Sequence, residues 1–144
     1  MADRELSQNI INHLRNNSRT TLARMARKER VSISTIYTHV KQLEDTIIDK
    51  HTSIPDYARL GYPFRTEFYC DHEHPKTIAT TLRQHQNANT ISLLDDNKIS
   101  IDTIFATLQE KERFKEQLEE RGCTNIQAHD VLAPVLIEGW NMQE

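Results

Sequence analysis

The sequence predicts an α+β fold made of an N-terminal winged helix-turn-helix over residues 1–54 and a ferredoxin-like βαββαβ domain over residues 64–144. A linker over residues 55–63 joins them. Three observations lead to this prediction. Apolar residues recur at helical spacing through the first third of the chain, strand-like and helix-like patterns alternate through the rest, and a segment with two prolines and a glycine separates the two parts.

The first two helices are predicted from the spacing of their apolar residues. Helix one runs from about Arg4 to Arg15 and stops in the polar segment 16–18, and its inward stripe is formed by Leu6, Ile10, Ile11 and Leu14. Thr21 is placed to cap helix two. In that helix the side chains expected to face inward are Leu22, Met25 and Ala26, and those expected to face solvent are Arg24, Arg27 and Lys28.

The third helix carries the candidate binding surface. Ser32 opens it, and its apolar side is formed by Ile33, Ile36, Val40 and Leu43. Its other faces carry hydroxyl, aromatic, amide and cationic groups, on Ser34, Thr35, Tyr37, Thr38, Lys41 and Gln42. Such groups contact base edges and phosphates in a major groove, so we expect this helix to bind double-stranded DNA.

Cations on helix two would strengthen that binding. We expect Arg24, Arg27 and Lys28, with Arg30 in the following turn, to attract phosphates whatever the base sequence. A small helical bundle whose third helix is merely solvated is the alternative interpretation of the same spacing.

A wing and a linker are predicted next. Residues 46–52 suggest a short extended wing strand with Ile47 and Ile48 buried, and Asp45 stands where a glycine would usually end the preceding helix. The run IPDYARLGYP, which ends at Pro63, contains the turn-forming residues expected of a boundary between domains.

The second domain is predicted from alternating patterns. Phe64, Thr66, Phe68 and Cys70 alternate with polar neighbours, which indicates a half-buried strand. A helix follows from about Pro75, with Ile78, Ala79 and Leu82 inward, and then strands over 90–94 and 98–105. A second helix over 109–121 has Phe114 and Leu118 inward and is ended by Gly122. A last strand lies within 126–140. This order predicts an antiparallel sheet with both helices on one face.

The other face of that sheet predicts self-association. A domain of this size would leave an uncovered apolar sheet face exposed, and pairing with a second copy would bury it. We therefore expect a homo-oligomer, at least a homodimer, formed through the second domain.

Charge and composition fit a cytoplasmic nucleic-acid reader. Residues 1–52 have a net charge of +3 from nine basic and six acidic side chains, whereas the remainder has nine basic and fifteen acidic ones and a net charge of −6. No stretch is apolar enough for a signal segment or a membrane span, so a membrane partner is not expected. Two distant cysteines give no support for a disulfide framework, and reduced thiols are expected.

The chain resembles the leucine-responsive/asparagine regulator (Lrp/AsnC) family of transcription factors. The resemblance covers nearly the whole chain and rests mainly on two runs, VSISTIYTHVKQLE at 31–44 and HTSIPDYARLGYPF at 51–64, with Arg19, Met25 and Ala26 also fitting. It implies a regulator that binds DNA as a dimer or higher assembly, either at specific pseudo-palindromic sites or as an architectural, chromatin-like protein. It also implies tuning by an amino acid or a related metabolite.

One departure from the family concerns that effector. The family commonly has a glycine, followed closely by an acid, in the loop between the second and third strands, whereas this chain has LLDDNKISID there. The same close approach of a backbone is then not available. The candidate effector loop is Asp95, Asp96 and Asn97.

Catalytic and metal-binding alternatives have weaker support. Cys70, His72 and His74 occupy alternate positions and are zinc-ligand types, but no further cluster completes four ligands, so no metal is expected. Siroheme decarboxylases resemble the same two-domain arrangement. The chain has no glycine-rich phosphate loop and no nucleophile beside a base, so we expect neither a cofactor nor enzymatic activity.

Overall fold

The computed structural model describes residues 2–142, which form two compact units. One contains the residues up to Ile54 together with those from Leu136 onward, and the other is Pro55–Val135. The sequence analysis places the residues from 136 onward in the second domain, whereas residues 136–142 are grouped by their contacts with the first unit. No helix in the described part of the chain is long and apolar enough to cross a bilayer.

The first unit is built on three helices, α1 (Ala2–Asn16), α2 (Leu22–Glu29) and α3 (Ile33–Thr46). Their facing sides bury Ile10, Met25, Ala26, Ile36, Val40 and Leu43. As predicted, Thr21 caps α2: its side-chain oxygen accepts a hydrogen bond from the backbone N–H of Arg24 at 3.2 Å.

The C-terminal residues of this unit bind α1 through its polar side. The Arg15 guanidinium donates to the carbonyl oxygen of Trp140 at 2.7 Å and to that of Glu138 at 3.2 Å. Asn12 makes two hydrogen bonds of 3.0 Å with the backbone of Met142, one donated and one accepted. The stripe of α1 opposite these contacts packs into the core, so α1 is held from two sides.

Two predictions for this unit are wrong. Ile33 was expected in the core but is 53% exposed, because it is the first residue of α3 and precedes the part of the helix that faces α1 and α2. The predicted wing strand is absent among the described residues: α3 continues to Thr46, Ile47 is 63% exposed, and only Ile48 packs against the core. The backbone N–H groups of both isoleucines bind the carbonyl of Leu43, at 2.8 and 2.7 Å, which closes the helix rather than extending a strand.

The second unit contains β1 (Phe64–Asp71), α4 (Pro75–Leu82), β2 (Ala88–Leu93), β3 (Lys98–Phe105), α5 (Leu108–Glu120) and β4 (Thr124–Asp130). Its four strands form one antiparallel sheet in the order β2-β3-β1-β4. The predicted fold class is confirmed. The last strand begins two residues before the predicted window and ends at Asp130.

One face of the sheet carries both helices and the core. Phe68, Ile99, Ile101 and Phe105 from the strands are buried against Phe114 and Leu118 of α5 and Ile78 and Leu82 of α4. The three phenylalanine rings contact one another, with Phe114 at 5.3 Å from Phe68 and 5.7 Å from Phe105 between ring centroids. Gly122, at φ +88°, ends α5 as predicted.

The opposite face of the sheet is polar, which contradicts the expected apolar surface. Its side chains on β1 are Arg65, Glu67, Tyr69 and Asp71, and those on β3 are Lys98, Ser100, Asp102 and Ile104. Arg65 donates two hydrogen bonds to Asp102, at 2.8 and 2.9 Å, and Tyr69 donates one to Glu67 at 3.1 Å. This face therefore does not support the prediction that an apolar sheet surface drives self-association.

Candidate DNA interface

A tight turn sets α3 at an angle to α2. Arg30 lies in the left-handed region, at φ 57° and ψ 40°, and its backbone N–H binds the carbonyl of Ala26. The N–H of Val31 binds the same carbonyl at 3.1 Å. A non-glycine residue in this conformation is unfavourable by about 1 kcal/mol, so the helix-turn-helix geometry is maintained by the core on both sides of the turn.

The buried side of α3 determines which residues face outward. Ile36 is fully buried, and Val40 and Leu43 are nearly so. The predicted contact residues Ser34, Tyr37, Thr38, Lys41 and Gln42 are exposed, and Thr35 is half-buried. The structure therefore brings the six predicted residues of α3 onto its outward surface. A shallow groove of about 290 Å³ lies along the first half of this surface, lined by Ser34, Thr35, Thr38 and His39.

Hydroxyl groups cluster at the N-terminus of α3. The Ser32 hydroxyl caps the helix by accepting from the backbone N–H of Thr35 at 3.1 Å. It also shares hydrogen bonds with the hydroxyls of Ser34 and Thr35, at 2.9 and 2.7 Å. Exposed donors at the positive end of a helix are suited to an anionic oxygen. The sequence had predicted Ser32 as the first residue of the helix but not as part of the binding surface.

Lys41 is exposed but paired. Its ammonium group donates to the Glu44 carboxylate at 2.8 Å, and His51 lies 3.2 Å from the other oxygen of Glu44. The hydrogen bond to Glu44 raises the pKa of Lys41, and the same bond lowers the pKa of Glu44. A contact of Lys41 with a phosphate or a base would require the exchange of this partner. The spacing of the two residues, three apart on one helix, was the signal in the sequence that could have indicated the pair.

The cations of α2 have no ion-pair partner among the described residues. Arg24, Arg27 and Lys28 are exposed, as predicted, and Arg30 is exposed in the turn. None of the ion pairs found between residues 2 and 142 involves them. Their charge is therefore directed at solvent, where it can attract phosphates.

Two histidines that sequence reasoning left unassigned connect the helices. His13 of α1 lies 2.5 Å from the carboxylate of Glu29 at the end of α2. His39 of α3 lies 3.0 Å from the carboxylate of Asp3 and 3.3 Å from the Ser7 hydroxyl, both on α1. These contacts join positions far apart in sequence, so periodicity alone gave no indication of them.

The candidate effector loop is a tight hairpin. Asp96 and Asn97 have φ values of 53° and 56°, and the N–H of Lys98 binds the carbonyl of Asp95 at 3.1 Å. Two successive residues of positive φ are typical of a type I′ turn, which Asp and Asn tolerate without glycine. All three loop residues, Asp95, Asp96 and Asn97, are exposed.

The candidate metal ligands do not form a site in the described part of the chain. Cys70 points into the core of the second unit. His72 donates through Nε2 to the carbonyl of Arg121 at 2.9 Å and accepts through Nδ1 from the N–H of His74 at 2.8 Å. Between residues 2 and 142, no three His, Cys, Asp or Glu side chains are grouped to hold a metal ion.

The helix-turn-helix matches a known family. Residues 3–46 match the family described as winged helix-turn-helix DNA-binding, a range that includes every residue predicted to contact DNA. No curated protein sequence matches the chain.

Solved structures match over both units. The Bacillus subtilis LrpC structure is 19% identical in sequence, with a TM-score of 0.78 over 90% of this chain and 94% of its own. Escherichia coli AsnC is 16% identical, with a TM-score of 0.77 over 92% and 94%. The chain has the fold of the Lrp/AsnC regulators. A Neisseria meningitidis transcriptional regulator in complex with L-Met shares this Lrp/AsnC-like fold, at 16% identity and a TM-score of 0.80 over 92% and 91%.

Proposed function

We propose that the protein is a transcription regulator of the Lrp/AsnC type, without catalytic activity of its own, that reads double-stranded DNA with α3. The observation that carries this proposal is the surface of α3. Its inward side is buried in the core, yet its outward side presents a continuous set of hydroxyl, phenol, amide and ammonium groups. These groups have the chemistry of base and phosphate contacts, and they lie in the segment that matches a DNA-binding family.

Within this surface the residues have different roles. Thr35, Tyr37, Thr38 and Lys41 contact the major groove and its phosphates, with Ser34 and Gln42 as secondary contacts. The cations of α2 supply attraction that does not depend on base sequence. Binding of this kind takes place in the cytoplasm, where the DNA is accessible.

We also propose that the protein acts as a homodimer or higher oligomer through its second unit. The sheet of this unit has open edges at β2 and β4, and exposed apolar side chains lie beside them, including Leu93, Leu94 and Leu132. A dimer places two copies of α3 on one side of a duplex, with half-sites about 10 base pairs, or a multiple of this, apart. A monomeric mass in light scattering at micromolar concentration would contradict this.

The effector proposal concerns the hairpin at Asp95, Asp96 and Asn97. Its exposed carboxylates can bind the ammonium group of an amino acid, and the N. meningitidis structure with the same fold contains L-Met. Calorimetric titration with the amino acids, on wild type and on Asp96→Asn, tests it. Wild type should release heat of binding with at least one amino acid, and the variant should bind that amino acid more weakly. No heat of binding with any amino acid, or equal binding by the variant, would contradict the proposal that this loop binds the effector.

The assignment of α3 is tested by reversing the charge of Lys41. Fluorescence anisotropy with DNA from upstream of the gene, measured over a range of salt concentrations, gives both the affinity and the salt slope. Lys41→Glu should weaken binding by about tenfold or more, equivalent to about 1.4 kcal/mol, and reduce the salt slope by about one phosphate contact. Lys76→Glu makes the same charge change at an exposed position of α4 and serves as the control.

The outcomes separate the alternatives. Unchanged affinity and slope for Lys41→Glu would show that α3 does not face DNA. If wild type protects discrete, regularly spaced sites in a footprint, it is a site-specific regulator, whereas uniform protection along the fragment indicates architectural binding.

A further inference from the structure

Two cysteines lie side by side in the core of the second unit. Cys70 on β1 and Cys123, which joins α5 to β4, are 2% and 4% exposed and belong to the same buried cluster. β1 and β4 are paired, with Asp71 opposite Thr124, and the register of this ladder shifts between Tyr69 and Asp71, at the position of Cys70. Both thiols are free, and they lie close enough for each to shift the pKa of the other.

The interaction between the two thiols gives them different pKa values. Cys70 lowers the pKa of Cys123 to about 7, helped by the nearby charges of His72 and Arg121 against the effect of burial. Cys123, with burial and the Asp71 carboxylate, raises the pKa of Cys70. The remaining groups against the pair are apolar side chains of α4, α5 and β3. Near neutral pH, Cys123 is thus the thiol that ionises, and Cys70 retains its proton.

We propose that Cys70 and Cys123 form a peroxide-sensitive pair, which hydrogen peroxide converts into an intramolecular disulfide. In the first step the Cys123 thiolate attacks one peroxide oxygen, the O–O bond breaks, and hydroxide leaves while Cys123 becomes a sulfenic acid. In the second step the sulfur of Cys70 attacks the sulfur of Cys123. The S–O bond breaks, and the departing hydroxyl group takes the Cys70 proton and leaves as water. The hydroxide of the first step is neutralised to water by the proton that Cys123 lost on ionising. Two thiols and one peroxide yield one disulfide and two waters.

Burial selects the oxidant. Both thiols are buried, and Cys123 directly follows the exposed residues Arg121 and Gly122 at the end of α5. Hydrogen peroxide is close to water in size and reaches such a sulfur through small fluctuations. A bulky disulfide such as oxidised glutathione must bring its sulfur into contact, which requires the unit to open.

The test is the intact mass of the full chain after treatment with hydrogen peroxide. The chain contains two cysteines, so an intramolecular disulfide can join only Cys70 and Cys123. The expected product is a single chain that has lost two hydrogen atoms, has no free thiols when unfolded, and is restored by dithiothreitol. Oxidised glutathione at the same concentration should leave the folded protein unchanged over the same time.

Two variants assign the roles. Cys70→Ser keeps a hydroxyl donor beside Cys123, so peroxide should produce a sulfenic acid there that dimedone traps. Cys123→Ser leaves only Cys70, which burial keeps protonated and which should therefore remain unmodified. The rate of oxidation of wild type should rise with pH, with a midpoint at about 7, and level off at higher pH once the Cys123 thiolate has formed.

Three results would overturn the proposal, and the wild-type experiment alone can give each of them. They are a disulfide between two chains, oxidation of Cys123 beyond sulfenic acid without a disulfide, and thiols that stay free under conditions that oxidise free cysteine. None of these results bears on whether α3 binds DNA, so the experiment tests this inference independently of the proposed function.

Discussion

Replacing Ser32 separates the two roles proposed for the N-terminus of α3. The Ser32 hydroxyl caps the helix through the N–H of Thr35 at 3.1 Å, and it is hydrogen-bonded to the hydroxyls of Ser34 and Thr35, which we propose contact DNA. Alanine removes the cap and adds no charge. Aspartate is as good an N-cap as serine but carries a negative charge. Ser32→Ala should therefore lower stability without adding a charge near DNA, whereas Ser32→Asp should weaken DNA binding without lowering stability.

The magnitudes follow from the geometry. Loss of the cap in Ser32→Ala destabilises the first unit by about 1 kcal/mol, which lowers the Tm of a unit this small by about 4–8 °C. Ser32→Asp keeps the cap, and its stability should stay within a few tenths of a kcal/mol of wild type. A carboxylate about 6 Å from a phosphate is unfavourable by about 0.7 to 3 kcal/mol, for an effective dielectric constant between about 80 and 20. DNA binding by Ser32→Asp should therefore weaken by roughly 3- to 100-fold.

The assay follows each property separately. The single tryptophan, Trp140, lies in the C-terminal residues that bind α1, so its fluorescence during thermal unfolding monitors the first unit. Circular dichroism follows the helices of the whole chain. DNA affinity is measured by anisotropy at one low salt concentration and at a temperature where both variants are folded, so that screening and unfolding do not mask the effect.

Either of two results would refute this reasoning. If Ser32→Asp loses as much stability as Ser32→Ala, the hydroxyl does not act as a helix cap. If Ser32→Asp is stable and binds DNA as tightly as wild type, the N-terminus of α3 does not lie against a phosphate, although the rest of the helix could still do so.

Two further predictions concern the second unit. Phe114→Ala should lower the free energy of unfolding in urea by about 3–5 kcal/mol, because Phe114 is buried against Phe68, and a loss below about 1 kcal/mol would contradict this core. Hydrogen bonds from Lys111 and Thr66 lower the pKa of Asp130 in the folded protein below its ordinary value of 3.8. The ionised carboxylate therefore contributes its full stability at pH values above the pKa of the unfolded chain, and this contribution is lost as the pH falls through the folded pKa. The difference in unfolding free energy between wild type and Asp130→Asn should thus shrink below about pH 4. A difference that does not change with pH would show that the Asp130 carboxylate does not contribute to stability through its charge.

Features encoded by a few neighbouring residues could be predicted from the sequence. Thr21 and Ser32 cap their helices because a hydroxyl at that position reaches an N–H three residues later, whatever the rest of the chain does. The hairpin at residues 95–97 formed for a similar reason, since Asp and Asn tolerate positive φ. The helix-turn-helix surface followed directly, because the buried stripe of α3 determines which residues are left outside.

Features that depend on distant partners were harder to predict. Ile47 and Ile48 have strand-like side chains, but a strand needs a partner for its hydrogen bonds, and here Leu43 supplies the acceptor instead. The polar sheet face could have been predicted, since Arg65 and Glu67 alternate with the core residues of β1. The expectation of an apolar face came from the architecture rather than from these residues. Nothing local indicated that Arg15 would bind residues near position 140.

The hydrogen bonds between α1 and the C-terminal residues affect how the protein is made. α1 is synthesised before the second unit, but its Asn12 and Arg15 find their partners only when residues 138–142 have been made. A chain truncated after β4 would keep all four strands of the sheet, yet the unit that contains α3 would lack these contacts to α1. Completion of the first unit thus depends on residues that follow the second unit in the chain.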